Sequence, residues 1–220
     1  DNIGLQALIA CSGLNADQLR AYHIGYVIGP CINATGRLDT AKRALELLIE
    51  TDHWRAQKIA QELVSLNDER KQLTTEGVEE AVRLVEEQEL WKHPVLVVYL
   101  PQTHESLAGI IAGRLRERYY RPTYVLTNGE DCVKGSGRSI PSYHMYEHLS
   151  RVGSLLIKFG GHAMAAGLSL APEHLEEFER LLCEQAQLSE EDLTETIRID
   201  VPMPISYITE TLIGQLSVLE

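Results

Sequence analysis

The chain has 220 residues, enough for one large domain or two small ones, and its 44% hydrophobic and 24% charged content is that of an ordinary globular protein. No apolar run reaches the ~18 residues of a membrane span, and the opening DNIGLQAL has no basic head followed by an apolar stretch, so a cytoplasmic location is expected. A net charge of −12 argues against a polyanionic partner until its distribution is read: His104 to Leu168 holds eight Lys/Arg against five Asp/Glu, whereas Pro172 to Ile199 holds nine acids against two arginines. The local field decides what a site binds.

In chain order, GLQALIACSG has helical apolar spacing and a stop at Gly13, and NADQLRAY restarts with Asn15 as cap. IGPCINATGR, rich in Gly, Pro and Asn, reads as a loop running into a helix from about Thr40. Residues 1–53 have too little apolar content for an independent domain and look like the tail of one. Residues 54–93 read as a connector helix with one apolar stripe through Ile59, Leu63, Leu66, Leu73 and Leu84, which Gly77 is expected to kink or divide.

Residues 94–187 alternate strands with helices, the pattern of a layered α/β domain. PVLVVYL is a strand covered on both faces. THESLAGIIAGRLRERY is a helix capped by Thr103, PTYVLT a strand, and CVKGSGRSI a strand with a glycine-rich defect. SYHMYEHLSRV and GSLLIKF read as helices, AAGLSL as a strand, and PEHLEEFERLLCEQA as a helix with Pro172 in its first turn. Residues 188–220 offer an alternating strand at TIRIDV and an amphipathic helix. The four cysteines have no metal-site spacing and read as free thiols.

Three stretches have the chemistry of an anion site. In KGSGRS, residues two apart on a strand share a face, so Lys134, Ser136 and Arg138 present an ammonium, a hydroxyl and a guanidinium together, with exposed glycine amides alongside. That set suits a phosphate; a β-bulge with incidental surface charge is the competing reading. In GPCINATGR, Asn33 and Arg37 are phosphate or base-edge donors, against a capped turn. In KFGGHAMAAG, Gly160 and Gly161 allow close backbone approach beside His162, against a tight turn entering a packed segment. HESLAG places Glu105 at a helix start, where it suits the dipole. Nothing supplies the carboxylate and histidine cluster of a two-metal nuclease.

Taken in order, GPCINATGRLDTAKRALELL, SLNDERK, HESLAGIIAGRL, YYRPTYVLT, KGSGRSIPSYHM and KFGGHAMAAGLSL resemble successive motifs of RecJ, the bacterial single-strand-specific exonuclease of the DHH phosphoesterase superfamily. The resemblance covers roughly residues 20–170. It implies a DHHA1-type layered α/β domain for substrate binding at 94–187, preceded by the connector helix and the tail of a DHH catalytic domain, with 188–220 leading toward an OB-fold. It also implies a metal-dependent, 5′-to-3′ exodeoxyribonuclease of DNA repair and recombination as the parent protein. Mn²⁺ or Mg²⁺ would be its cofactor, and single-stranded DNA its partner, with a single-stranded-DNA-binding protein or a helicase beside it. No DHH triplet occurs, so the resemblance assigns no metal ligand here and implies an inactive piece of a longer protein. His162 is expected to face the cleft between two domains and donate to a phosphoryl oxygen, with Asn33, Arg37, Lys134, Ser136, Gly137, Arg138, Ser139, Gly160 and Gly161 around the phosphate. Two other classes stay open: a phosphodiesterase acting on dinucleotides or short oligonucleotides, and a non-catalytic nucleic-acid-binding module.

Overall fold

The structure, a computed structural model, describes residues 2–38 and 41–217, without the side chains of residues 37 and 38. The chain divides into two compact units, Asp1–Arg70 with Thr196–Glu220, and Lys71–Glu195.

The first unit is helical. Helix α1 (Ile3–Cys11) starts at Asn2, whose side chain accepts from the Leu5 amide, and stops before Gly13 at φ 71°. Asn15 caps a short turn, as its position suggests. The segment expected to be a loop is helical instead: α2 (Ala21–His23) runs through a π-turn, Ile24–Ile28, into α3 (Gly29–Leu38). Pro30 lacks the N–H that an α-helix would use. The wider turn resolves this: Gly29 donates to the Ile24 carbonyl five residues back, leaving Pro30 in the first turn of α3. Helix α4 (Lys42–Ile49) follows, and Leu8, Leu47, Ile59, Ala60 and Leu63 are buried together.

Helix α5 (His53–Glu87) has 35 residues, about 52 Å at 1.5 Å per residue. The Asp52 carboxylate caps it through the Arg55 amide at 2.8 Å. It is uninterrupted, and Gly77 serves a different purpose from a kink: a Cβ there would stand 2.6 Å from Ile111 Cδ1. Nor is α5 merely a connector. Ala56, Ala60 and Leu63 are fully buried in one core, and Ala81 and Val85 in another. These small contacts are invisible to a count of leucines.

The second unit is built on a five-stranded sheet of order β1-β2-β3-β5-β4, from β1 (Leu96–Tyr99), β2 (Thr123–Asn128), β3 (Val133–Arg138), β4 (Leu156–Gly161) and β5 (Ala165–Leu170). Strands β1 and β2 are parallel, joined through α6 (Glu105–Tyr119); the other pairs are antiparallel. One face packs Leu96, Val98 and Val125 against Leu107, Ile111 and Leu115 of α6 and the end of α5. The other packs Tyr124, Leu126 and Leu168 against α7 (Met145–Arg151) and α8 (Leu175–Glu184), with Tyr124 edge-on to Phe178. A sheet with helices on both faces is the layered α/β architecture expected.

Four local expectations are corrected. His104, not Thr103, caps α6, its Nδ1 accepting from the Ser106 amide. GSLLIKF is not helical beyond one 3₁₀ turn; its apolar residues form the edge strand β4, since a short apolar run takes whichever period its neighbours complete. The glycine-rich strand β3 has no bulge: its register is one-to-one with β2 and β5 from end to end. TIRIDV is not a strand, because nothing pairs with it; Ile197 and Ile199 stand 83% and 73% exposed, and beyond it lie a 3₁₀ turn at Ile205–Tyr207 and helix α9 (Glu210–Leu216).

All four cysteines are free, and burial pushes the Cys183 thiol up to about 11. Among the described residues no helix is long and apolar enough to cross a membrane.

His148 is nearly buried and stacks on Tyr143 at 3.9 Å between ring centroids. Burial lowers its pKa first and the Arg151 charge lowers it further; Glu147 opposes them, and His144 adds to them. The unfolded chain therefore takes up this proton before the folded one. The stability that His148 contributes is complete above its unfolded pKa of about 6.5 and is lost as pH falls through the lower, folded value. Urea melts from pH 7.5 to 5 should show stability falling with acid, and His148→Gln should flatten that slope.

Candidate nucleic-acid interface

Alternation along β3 divides its residues between the two faces of the sheet. Val133, Gly135 and Gly137 face the α7/α8 core; a Cβ on Gly135 would stand 2.5 Å from Leu126 Cδ2, and one on Gly137 2.5 Å from Met145 Sδ. Lys134, Ser136 and Arg138 point to the α6 side, as the pattern predicts. Two members of the expected set are thereby separated from it. Gly137 is buried, and β3 pairs on both sides, so it offers no exposed amide. Ser139 is buried too, its hydroxyl donating to the Tyr143 carbonyl at 2.5 Å.

Helix α6 covers only part of this face. Over β1 and β2 the residues of the face, Leu96, Val98, Val125 and the threonines Thr123 and Thr127, are buried and packed. Over β3, β5 and β4 they are polar or bare, and an open cleft of about 480 Å³ remains, lined among others by Ser106, Lys134, Ser136, Lys158, Gly160 and Ser169. The register arranges this face in rows: Arg138 opposite Ala165; Ser136, Gly167 and Gly160 in line; then Lys134, Ser169 and Lys158 in line. The last row depends on a bulge in β4. Leu156 pairs with Leu170 and Lys158 with Ser169, leaving Ile157 as the extra residue and turning Lys158 onto the cleft face.

The glycines here fall into two kinds. A Cβ added to Gly160 would meet nothing within 4 Å, and one on Gly167 only the Gly135 carbonyl at 3.9 Å, so packing does not demand either. Gly109 on α6 is the opposite case. A Cβ there would stand 2.8 Å from Arg138 Nη2 and 3.5 Å from Ser136 Oγ, so its absence leaves the space that both side chains use. Arg138 Nη1 also donates to the Gly137 carbonyl at 2.7 Å, fixing the fork at the end of β3.

Lys134 is paired with Glu105 at the start of α6, and that hydrogen bond raises the ammonium's pKa. Among the described residues Lys158 forms no ion pair. His162 is exposed in the three-residue loop between β4 and β5. The loop is held on both sides: the His162 amide donates to the Ala165 carbonyl at 2.8 Å, the Ser139 amide to the Met164 carbonyl, and the Met145 amide to that of Ala163. These bonds fix His162 beside the Arg138 end of β3. Gly161, at φ 154°, makes the entry to this loop.

Asn33 is exposed on α3 in the first unit, and the side chain of Arg37 lies outside the described residues. Among the described residues no group of three or more His, Cys, Asp or Glu could hold a metal ion. Lys158, Ser169, Gly167 and Gly109 escaped sequence reasoning. Only SLAG, a glycine inside a helix, carried a readable signal; the others depend on register.

Residues 92–188 match the DHHA1 domain. The chain is 39% identical over 183 residues to the single-stranded-DNA-specific exonuclease RecJ of Dickeya dadantii, covering 80% of this chain and 32% of that protein. It is 34% identical over 223 aligned positions to RecJ of Bacillus subtilis, covering all of this chain and 28% of that one. Crystal structures of Thermus thermophilus RecJ in complex with Mg²⁺ and with Mn²⁺ are similar over 99% of this chain and about a third of theirs (33% and 32%), with TM-scores of 0.84 and 0.85 at 26% identity. The chain spans about a third of the length of the curated relatives it matches.

Proposed function

We propose that this chain, whose residues 92–188 are a DHHA1 domain and which is similar to about a third of RecJ, holds the 5′ end of single-stranded DNA for a metal-dependent 5′-to-3′ exonuclease. The observation that carries this reading is the single polar face of β3, with Arg138 and Ser136 set against Gly109 and the His162 loop pinned at the same end of the strand. The guanidinium offers two parallel donors to a terminal phosphate, the Ser136 hydroxyl a third. His162 donates to a phosphoryl oxygen as negative charge develops. Gly160 lets a nucleotide lie close to the sheet. Asn33 and Arg37 contribute further phosphate contacts. A Mg²⁺ or Mn²⁺ ion, as in the Thermus structures, supplies Lewis-acid activation in the whole enzyme; none of the residues described here is assigned to it. DNA repair and recombination in the cytoplasm, beside a single-stranded-DNA-binding protein or a helicase, is the setting this activity fits.

The test uses 5′-labelled single-stranded DNA. The 220-residue chain with Mn²⁺ should bind it weakly, with affinity falling steeply as salt rises, because a few phosphate contacts carry the interaction. It should release no nucleotides. Degradation that co-purifies with the chain and disappears in His162→Ala would overturn the inactive, substrate-holding reading, and tight binding indifferent to salt would overturn the phosphate contacts.

A further inference from the structure

We propose that Lys134, Ser169 and Lys158 form a second anion subsite, which takes the first internucleotide phosphate of a strand whose 5′ phosphate sits at Arg138 and Ser136; the inference rests on the terminal-phosphate reading above. The three residues lie in one row across β3, β5 and β4, on the face that opens into the cleft. Two ammonium groups flank one hydroxyl, and an internucleotide phosphate, with one charge and two free oxygens, suits that set better than it suits a planar fork. The row lies two residues along the strand from Ser136, about 6.7 Å at 3.2–3.4 Å per residue. That is comparable to the step between successive phosphates of an extended single strand. In line with Ser136, beside the lysine row, lie Gly167 and Gly160, directly opposite each other and both exposed, with room that the fold does not use. A sugar or base joining the two phosphates occupies that space.

Two details favour a built site over scattered lysines. The bulge at Ile157 breaks the ladder of β4 and in doing so brings Lys158 onto the row. Glu105 holds Lys134 at the rim, so an arriving phosphate competes with a carboxylate for that ammonium. Glu105 therefore weakens the subsite and eases departure of a bound strand.

The experiment titrates the 220-residue chain with thymidine 5′-monophosphate and with the 5′-phosphorylated thymidine dinucleotide, by calorimetry or chemical-shift perturbation at low salt. The dinucleotide should bind more tightly. Lys158→Gln should lower dinucleotide affinity about fivefold, reduce its salt dependence by about one counterion, and leave the mononucleotide unchanged. Lys158→Arg should retain most of the binding, and Glu105→Gln should raise dinucleotide affinity severalfold. Arg138→Ala should weaken both ligands. If Arg138→Ala acts as expected while Lys158→Gln changes neither ligand, or weakens both equally, the second subsite is overturned and the terminal-phosphate pocket stands. If Arg138→Ala leaves both ligands unaffected, the pocket itself is overturned. Because the Lys158 side chain is exposed, its variants should melt with the wild type, and a shifted melt would refute the premise that the residue serves the ligand alone.

Discussion

Gly161→Val will destabilise the second unit by about 3 kcal/mol, roughly a hundredfold in its folding equilibrium. Two independent costs combine. Gly161 has φ 154°, where side chains are strained and β-branched ones most of all. A Cβ there would also overlap the Ala165 carbonyl oxygen and stand 2.6 Å from Ala166 Cα, which are backbone atoms of the paired strand and cannot rotate away. Relief requires opening the hairpin, and that breaks the bonds from Ser139 and Met145 that fix its loop. Gly160→Ala supplies the control. Its new methyl meets nothing within 4 Å, so it should change stability by no more than about 0.5 kcal/mol. Denaturant melts of the two variants side by side decide the matter; equal losses would show that the conformation of Gly161 is not the cause.

Arg138→Ala will weaken binding of 5′-phosphorylated single strands by about ten- to hundredfold, with a much smaller effect on 5′-hydroxyl strands. Hydrogen bonds to charged groups contribute about 1.5–3 kcal/mol each, which sets that range. Arg138→Lys should recover only part of the loss, because an ammonium gives a point charge where the guanidinium gives a fork. The decisive quantity is the ratio of affinities for the two kinds of 5′ end. Equal weakening of both would make Arg138 a general backbone contact. Gly109→Ala should reproduce part of the defect without removing any charge, since its methyl would occupy the space of the Arg138 guanidinium.

The split of Lys134, Ser136 and Arg138 from Gly135 and Gly137 was legible in VKGSGR, because strand alternation is local and period two leaves no choice. Long helix α5 was legible because its three-or-four apolar spacing is likewise local. What failed needed partners distant in the chain. GSLLIKF has an apolar run that fits a helix or a strand, and only pairing with β5 selects the strand. GPCINATGR carries Gly, Pro and Asn, each a breaker on its own, yet one π-turn accommodates the proline and the helix proceeds. Ser139 is only one residue beyond the end of β3, but its hydroxyl turns inward to a carbonyl four residues on. Lys158 and Ser169 could not have been brought together from sequence, because their row exists only through the register of three strands and the extra residue at Ile157.

That extra residue also sets a phase. Downstream of Ile157, every side chain of β4 takes the face that counting from Leu156 would deny it: Lys158 goes to the cleft and Phe159 to the core. Substituting Ile157 leaves the phase intact, whatever the new side chain. Deleting it lets Leu156 and Lys158 pair in succession with Leu170 and Ser169, so Lys158 stays on the cleft and Phe159 in the core, and only the bulge is lost. The same interruption falls on an outer strand with one unpaired side, where a break in the ladder discourages another copy from adding a strand of its own.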